Sequence, residues 1–385
     1  MKERPTRALI NLENLKANFL SIKALTEGSA QVMAVVKADA YGHGDKVISK
    51  ALEENGCDQF GVAMLEEGIR LREAGLKKPI VVLGGLLPGQ GPDFFNFDLT
   101  PVIYDLSTAR RIDRIAGEIE TRKKVHVKID TGMGRLGILP QEVDEFFAEF
   151  KELTNIELEG LMSHYADMEV EDKTFSRGQL DRFLEVIEVV RSMGFTPKFT
   201  HMSNSAAIVD FKESHMDMIR AGLMLYGVYP AARFEDKIKL KPVMELHTQI
   251  ICIKKIPKGS SVSYGRTFVA ERDSLIATIS AGYADGIPRR LSNKGTALVR
   301  GSRAPIAGTV CMDMTMLDVT DVDGVEVGDS VVLIGAQGTE EITALQVADL
   351  VGTIPYEILC NIGARVPRVV TKDMPKNTPK DTVGK

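Results

Sequence analysis

Val32-Met33-Ala34-Val35-Val36-Lys37-Ala38-Asp39-Ala40-Tyr41-Gly42-His43-Gly44 is the stretch on which the fold reading turns. Its first part, Val32–Val36, is a short apolar run rich in β-branched residues and reads as a strand. The residues after Val36 separate two architectures. A doubly wound open sheet would place a GxGxxG phosphate loop after its first strand. Here the strand runs instead into a lysine and a mixed polar turn. The unit then recurs. Apolar stretches at Phe60–Ala63, Ile80–Leu83, Pro101–Ile103, Val125–Asp130, Leu158–Met162, Lys198–His201 and Met216–Ile219 alternate with helix-like segments. These include Leu65–Ala74, a segment opening at Asp105-Leu106-Ser107, and the long Thr174–Met193. Eight strands, each followed by a helix or turn, is the pattern of an α/β (β/α)8 TIM-like barrel.

Past residue 233 the texture changes. Valine, threonine and isoleucine cluster in short segments between Gly, Pro and Asp turns: Thr248–Ile253, Leu275–Ser280, Thr296–Val299, Met314–Val319 and Ser330–Ile334. That predicts a C-terminal, mainly β domain. The expected division is a barrel over 8–232, a β-rich domain over 233–370 and a tail over 371–385 rich in Lys, Pro, Asp and Thr. The N-terminal segment, residues 1–11 and within it Ala8–Ile10, is a candidate extra strand for the second domain. At 385 residues two domains is the natural prior.

Bulk properties remove several function classes. A formal net charge of −5 offers no basic field to nucleic acid, and no aromatic-interleaved basic stripe appears. The opening residues lack the apolar run of a secretory signal, and no stretch approaches a bilayer span. Cys57, Cys252, Cys311 and Cys360 are scattered and form no CxxC pair, so neither a disulfide framework nor a metal site is indicated. A reduced, cytoplasmic enzyme with a small-molecule substrate is the expectation.

Barrel chemistry gathers at the carboxyl ends of the strands. Those ends carry Lys37, Lys128 with Asp130, His164, Ser203-Asn204-Ser205 and Arg220. A lysine at the rim of an apolar strand is partly desolvated, which lowers its pKa and yields a neutral amine for a Schiff base. An isolated rim lysine is more often simply solvated. Ser205 reads equally well as a helix N-cap and as a phosphate ligand. Arg220 alone would read as an ion-pair residue. By the two-residue strand period His126, Lys128 and Asp130 share one side, opposite Val125, Val127 and Ile129. An inward lysine there is costly unless paired or neutral.

Residues 36–44 resemble the cofactor-lysine signature of the alanine racemases, a family of barrel enzymes dependent on pyridoxal phosphate (PLP). The resemblance runs over about residues 5–370 and includes further blocks: Val127–Gly137, His201–Ala207, Ile219–Gly227, Ser263-Tyr264-Gly265, Gly282–Gly286 and Cys311–Met314. It implies that Lys37 carries the cofactor and acts as one base. It implies a cofactor site of Tyr41, His164, Asn204, Ser205, Arg220, Gly222, Leu223 and Tyr356, with the phosphate held by Tyr41, Ser205, Gly222, Leu223 and Tyr356. Arg220 would face the ring nitrogen, where a guanidinium can donate a hydrogen bond but not readily a proton. Related decarboxylases use a carboxylate there, so arginine favours racemisation.

Racemisation takes the α-proton from one face and returns it to the other. The resemblance implies Tyr264 as the second base, supplied by the partner of a homodimer and coupled through His164 to Arg220. Arg135 would bind the substrate carboxylate with the Met312 backbone of the other subunit, and Tyr283 would border the entrance. Lys128 is commonly carbamylated in the family; the ordinary alternative is an ion pair of Lys128 with Asp130 or another carboxylate. Cys311 and Asp313 would lie near the entrance, although Cys311 also fits a small buried hydrophobe. The implied reaction interconverts L- and D-alanine, with D-alanine supplied to peptidoglycan. A broad-specificity or serine racemase, a barrel decarboxylase, and a non-catalytic PLP-homeostasis protein are the competing readings. The last resembles the barrel alone and lacks a second domain with its tyrosine.

Overall fold

The structure, a computed structural model, describes residues 4–371. Eight parallel strands form its first layer: β2 (Gln31–Val35), β3 (Gln59–Val62), β4 (Ile80–Val82), β5 (Thr100–Ile103), β6 (Lys123–Lys128), β7 (Ile156–Met162), β8 (Phe199–His201) and β9 (Met218–Ala221). They follow β1 (Arg7–Asn11), which lies elsewhere. Each barrel strand pairs with the next in sequence from β2 to β8, and β9 returns beside β2 with Gln31 opposite Met218. Between β8 and β9 the closure is looser. It is bridged by Asp217 N–H donating to Thr200 O and Arg220 N–H donating to Ser203 O, at 3.2 and 3.1 Å. The result is a nearly closed barrel.

Strand alternation sorts the side chains. Val125, Val127 and Ile129 join the large core beneath the outer helices, whereas Met33, Val81, Val102, Met162, Phe199 and Met218 form a separate cluster inside the barrel. His126 and Lys128 take the inward side of β6 and are almost completely buried. The predicted strands lie within a residue or two of the observed ones, with one difference that bears on the site. β9 begins at Met218 rather than Met216, because Met216 takes a left-handed backbone (φ 48°) in the preceding turn. Arg220 is therefore inside the strand and not beyond its end.

The second layer is a nine-stranded sheet built around β10 (Met244–Ile256). β1 pairs antiparallel with it, Arg7 opposite His247, and parallel with the last strand, Arg368–Thr371. The N-terminal segment thus belongs to the sheet of the C-terminal half. The five strands expected there are present, and helices Ala344–Val351 and Pro355–Cys360 are additional. The first opens on a Thr343/Gln346 capping box, a signal that was readable. The second carries Tyr356 to within 5.8 Å, ring to ring, of Tyr41. The expected tail lies, apart from Thr371, outside the described residues.

Candidate active site

The chain leaves β2 at Val36 and makes a left-handed turn. Ala38, Asp39, Ala40 and Tyr41 all have φ between 52° and 55°. For residues with a Cβ this conformation costs roughly 1–2 kcal/mol each, so the turn persists only because other bonds fix it. Glu67 accepts from Ala38 N–H at 2.6 Å with one oxygen and from Ala63 N–H at 2.7 Å with the other. Asp39 accepts from Asp45 N–H at 2.9 Å, and the His43 ring lies 3.0 and 3.1 Å from two carbonyls of the turn. The left-handed backbone continues through Gly42 and recurs at Gly44, at φ 81° and 96°, where glycine carries no Cβ penalty. Its effect is to hold Lys37 at the barrel mouth and turn Tyr41 inward.

Lys37 is half-buried, and its pKa is lowered by desolvation first and by the nearby Arg135 cation second. Lys128 is 4% exposed, and burial, Arg135 and Arg220 bring its pKa to about 8. The Lys128–Asp130 ion pair does not form. Asp130 is spent on its own loop, accepting from the N–H groups of Gly132, Met133, Gly134 and Arg135 at 2.8–3.1 Å. Among the described residues the side-chain amine of Lys128 has no hydrogen bond or ion pair. The loop tied down by Asp130 presents the exposed Arg135, whose guanidinium likewise has no partner among the described residues.

Arg220 is 4% exposed. Its Nη1 lies 2.7 Å from His201 Nδ1 and 3.0 Å from His201 O. Its Nη2 lies 2.6 Å from Ser163 O, 2.9 Å from Met202 O and 3.1 Å from His164 Nδ1. Both terminal nitrogens are therefore fully engaged. Among the described residues only Nε–H is left without a partner. Burial lowers the arginine pKa to about 10, which still leaves it cationic at neutral pH. His164 is held well below its ordinary pKa by burial and then by Arg220. It is a neutral imidazole accepting through Nδ1.

On the other side of the mouth, Ser205 Oγ accepts from Gly222 N–H at 3.1 Å. A Cβ on Gly222 would come within 3.0 Å of the Tyr41 hydroxyl and 3.6 Å of Ser205 Oγ, so only glycine leaves that hollow open. Two hydroxyls and glycine backbone lining one hollow suit an anion. The helix N-cap proves to be Asn204, whose side chain accepts from Ala207 N–H, so Ser205 keeps its hydroxyl for the hollow. Leu223 begins the turn after Gly222. Tyr226, which motif reading did not single out, packs 5.0 Å from Tyr41 and donates to Val35 O. Glu67, His126 and His201 were also missed as supports, since their roles depend on contacts distant in sequence.

The barrel cluster is not joined by every expected residue. Tyr264 is 71% exposed, and among the described residues its side chain has no hydrogen bond or ring contact. Met312 and Tyr283 are also exposed, on neighbouring turns of the second domain. Asp313 pairs with Arg365 at 2.6 Å. Cys311 is half-buried rather than buried, with its sulfur 3.4 Å from Ser263 Oγ. A cavity of about 460 Å³ between the layers, lined by His43, Tyr226, Met244 and Leu345, includes none of the cationic residues at the mouth.

Comparison with known proteins decides what these residues belong to. Residues 10–230 match the family described as alanine racemase, N-terminal domain, and residues 243–370 match alanine racemase, C-terminal domain. The chain belongs to the alanine racemase family. It is 48% identical over 365 residues to an alanine racemase of Halothermothrix orenii, covering 95% of this chain and 96% of that one. With an alanine racemase of Geobacter sulfurreducens the identity is 44%, over 96% and 98% of the two chains. Among solved structures, alanine racemase of Clostridium difficile superposes with a TM-score of 0.91 at 37% identity, covering 96% of this chain and 97% of that chain. That of Bacillus anthracis with bound L-Ala-P gives 0.91 at 34%, over 96% of each. The reaction is the racemisation of alanine, and the enzyme is an isomerase. No helix among the described residues is long and apolar enough to cross a membrane.

Proposed function

We propose that this alanine racemase holds pyridoxal phosphate on Lys37 and moves the α-proton between two bases, Lys37 and Tyr264 of a second copy. The observation that carries the reading is the donor count at Arg220. Four of its N–H groups are taken by protein acceptors, and the fifth, Nε–H, remains for a ring nitrogen that needs a hydrogen bond but no proton. The hollow of Tyr41, Ser205, Gly222, Leu223 and Tyr356 fits the phosphate. The residues present therefore fit the group. When bound, the cofactor supplies an electron sink conjugated to the substrate Cα, which makes the Cα–H bond acidic.

The chain's own residues then divide the work. Lys37 offers an amine whose pKa is lowered by desolvation and then by Arg135, which favours the neutral form a base needs. Arg135 binds the substrate carboxylate, a task for its bidentate fork, assisted by the Met312 N–H of the partner subunit. Tyr264 of that subunit serves the opposite face. His164 accepts from Arg220 through Nδ1, which leaves its Nε2–H as the nitrogen proton available to the tyrosine. Tyr283 and Tyr356 limit the pocket to a small side chain. The enzyme acts in the cytoplasm and supplies D-alanine to peptidoglycan.

The test is direct. Purified enzyme should be yellow and should interconvert the alanine enantiomers much faster than those of serine or larger amino acids. A colourless enzyme that racemises alanine ends the cofactor reading, and equal rates on larger substrates end the assigned selectivity.

Lys128 gives a second expectation. We infer that it carries a carbamate, whose negative charge would sit between Arg135 and Arg220. Only the neutral amine reacts with carbon dioxide, and the pKa of about 8 makes that form more abundant as pH rises through 8. In ¹³CO2-equilibrated buffer a carbamate ¹³C signal should therefore grow from pH 7 to 9 and be missing in Lys128→Ala. An absent signal across that range, or one that survives the substitution, removes the modification.

A further inference from the structure

Beneath Arg220 the barrel interior is polar where packing alone would make it apolar. His201 and His126 are both completely buried, and His126 Nδ1 lies 2.9 Å from His201 Nε2. His126 Nε2 has no hydrogen-bond partner and faces Glu159 Oε2 at 3.7 Å, an ion-pair distance. Glu159 pairs at 3.0 Å with Lys124, which is exposed at the surface. Three side chains from three strands, His201 of β8, His126 of β6 and Glu159 of β7, thus connect the arginine at the mouth to the exposed Lys124 near the start of β6.

The backbone is adapted to hold them. The pairing of β6 with β7 slips by one residue between Val125 and His126, which places Gly160 opposite His126. A Cβ at Gly160 would lie 2.5 Å from the His126 ring, so that ring occupies space only a glycine leaves. A register slip, a glycine and two buried imidazoles together form a built feature.

The direction of the chain follows from chemistry. Arginine has donors only. At 2.7 Å, His201 Nδ1 must therefore be a bare acceptor, and a neutral His201 carries its proton on Nε2. That proton can go only to His126 Nδ1, which fixes the His126 proton on Nε2, pointing at the carboxylate. Burial and then Arg220 keep His201 well below its ordinary pKa, consistent with the neutral ring. Burial alone would raise the Glu159 pKa, but His126 and Lys124 outweigh it and bring it to about 2. The carboxylate is charged at neutral pH.

We propose that Arg220→His201→His126 is a one-way donor chain that ends facing the Glu159 carboxylate, in which the donor-only arginine at one end and the anion at the other together set both histidine tautomers and hold Arg220 so that its Nε–H is the donor presented at the barrel mouth. His201, His126 and Glu159 are positioning residues. His201 Nδ1 accepts from Arg220 without taking its proton, because burial and the arginine's own charge hold that imidazole well below its ordinary pKa. The role of Nε–H toward the ring nitrogen rests on the cofactor reading; the tautomers do not.

The experiment is ¹⁵N NMR of the full-length holoenzyme labelled at histidine, with signals assigned through His126→Gln and His201→Gln. Both residues should be neutral with the proton on Nε2. Glu159→Gln keeps the shape and removes the charge. It should shift the His201 signals although Glu159 does not touch that ring, and it should lower kcat roughly 10-fold, as loss of an outer partner of an oriented site residue does. KM for alanine should change less than about 2-fold, since Arg220 does not bind the substrate carboxylate. A proton on Nδ1 of either histidine, or His201 signals unmoved by Glu159→Gln, overturns the proposal. A colourless wild type with the tautomers as stated would instead sink the cofactor reading and leave the chain standing.

Discussion

Lys37→Ala is expected to abolish racemisation, with kcat/KM falling on the order of 10⁴-fold or more, the scale seen when a residue central to the chemistry is removed. The left-handed turn after Lys37 is fixed by Glu67, Asp39 and His43, so the amine is held in place at the strand end and not left to search for it. Desolvation and the Arg135 cation both favour its neutral form. In the proposed mechanism the lysine would be the covalent anchor and one base at once, and alanine could replace neither function. Two measurements separate those roles. Borohydride treatment of the wild type should leave the cofactor irreversibly attached to the peptide containing Lys37, found by mass spectrometry. In Lys37→Ala the visible absorbance should become dialysable, because the hollow at Tyr41, Ser205 and Gly222 retains the phosphate only noncovalently. Attachment at another lysine, or a variant that keeps more than a few per cent of the activity, would remove Lys37 from the centre of the site.

The barrel was legible in the sequence because its signal is local. Each strand is a short apolar run, and the missing GxGxxG after Val36 excluded the open-sheet alternative without reference to any distant residue. Glu67 shows where such reading ends. Nothing in residues 64–67 announces that this carboxylate will secure a backbone N–H 29 positions earlier. His126 and His201 are 75 residues apart and meet only because β6, β7 and β8 are neighbours and their register slips at Gly160. Lys128 is the converse. Its inward direction followed from the two-residue period, but Asp130, its obvious partner by spacing, had four backbone N–H groups to satisfy and left the lysine unpaired. Sequence indicates which groups are costly to bury; the tertiary contacts decide which of them find partners.

Tyr264→Phe should cost between 10²- and 10⁴-fold, the usual range for a positioned general base, and the loss should be unequal between the two enantiomers. Phenylalanine retains the ring and removes only the proton-bearing oxygen. Exchange of the α-hydrogen into deuterated water should persist from the enantiomer whose proton faces Lys37 and fail from the other. Equal losses would take away the one-face role. The subunit question is sharper still. Within one chain Tyr264 is 71% exposed and, among the described residues, its side chain makes no hydrogen bond or ring contact, while the lysine it is proposed to oppose sits in the barrel mouth. In the proposed mechanism a second copy brings this tyrosine to the site. In a two-fold dimer the same patch serves both subunits, so each site would combine one chain's Lys37 with the other's Tyr264. Mixing inactive Lys37→Ala and Tyr264→Phe subunits then makes a definite prediction. Each mixed dimer contains one site with both defects and one with neither, and random exchange makes half of the dimers mixed. About one quarter of the wild-type activity per site should return. If Tyr264 served its own chain, every site in the mixture would keep one defect and no activity would reappear after exchange.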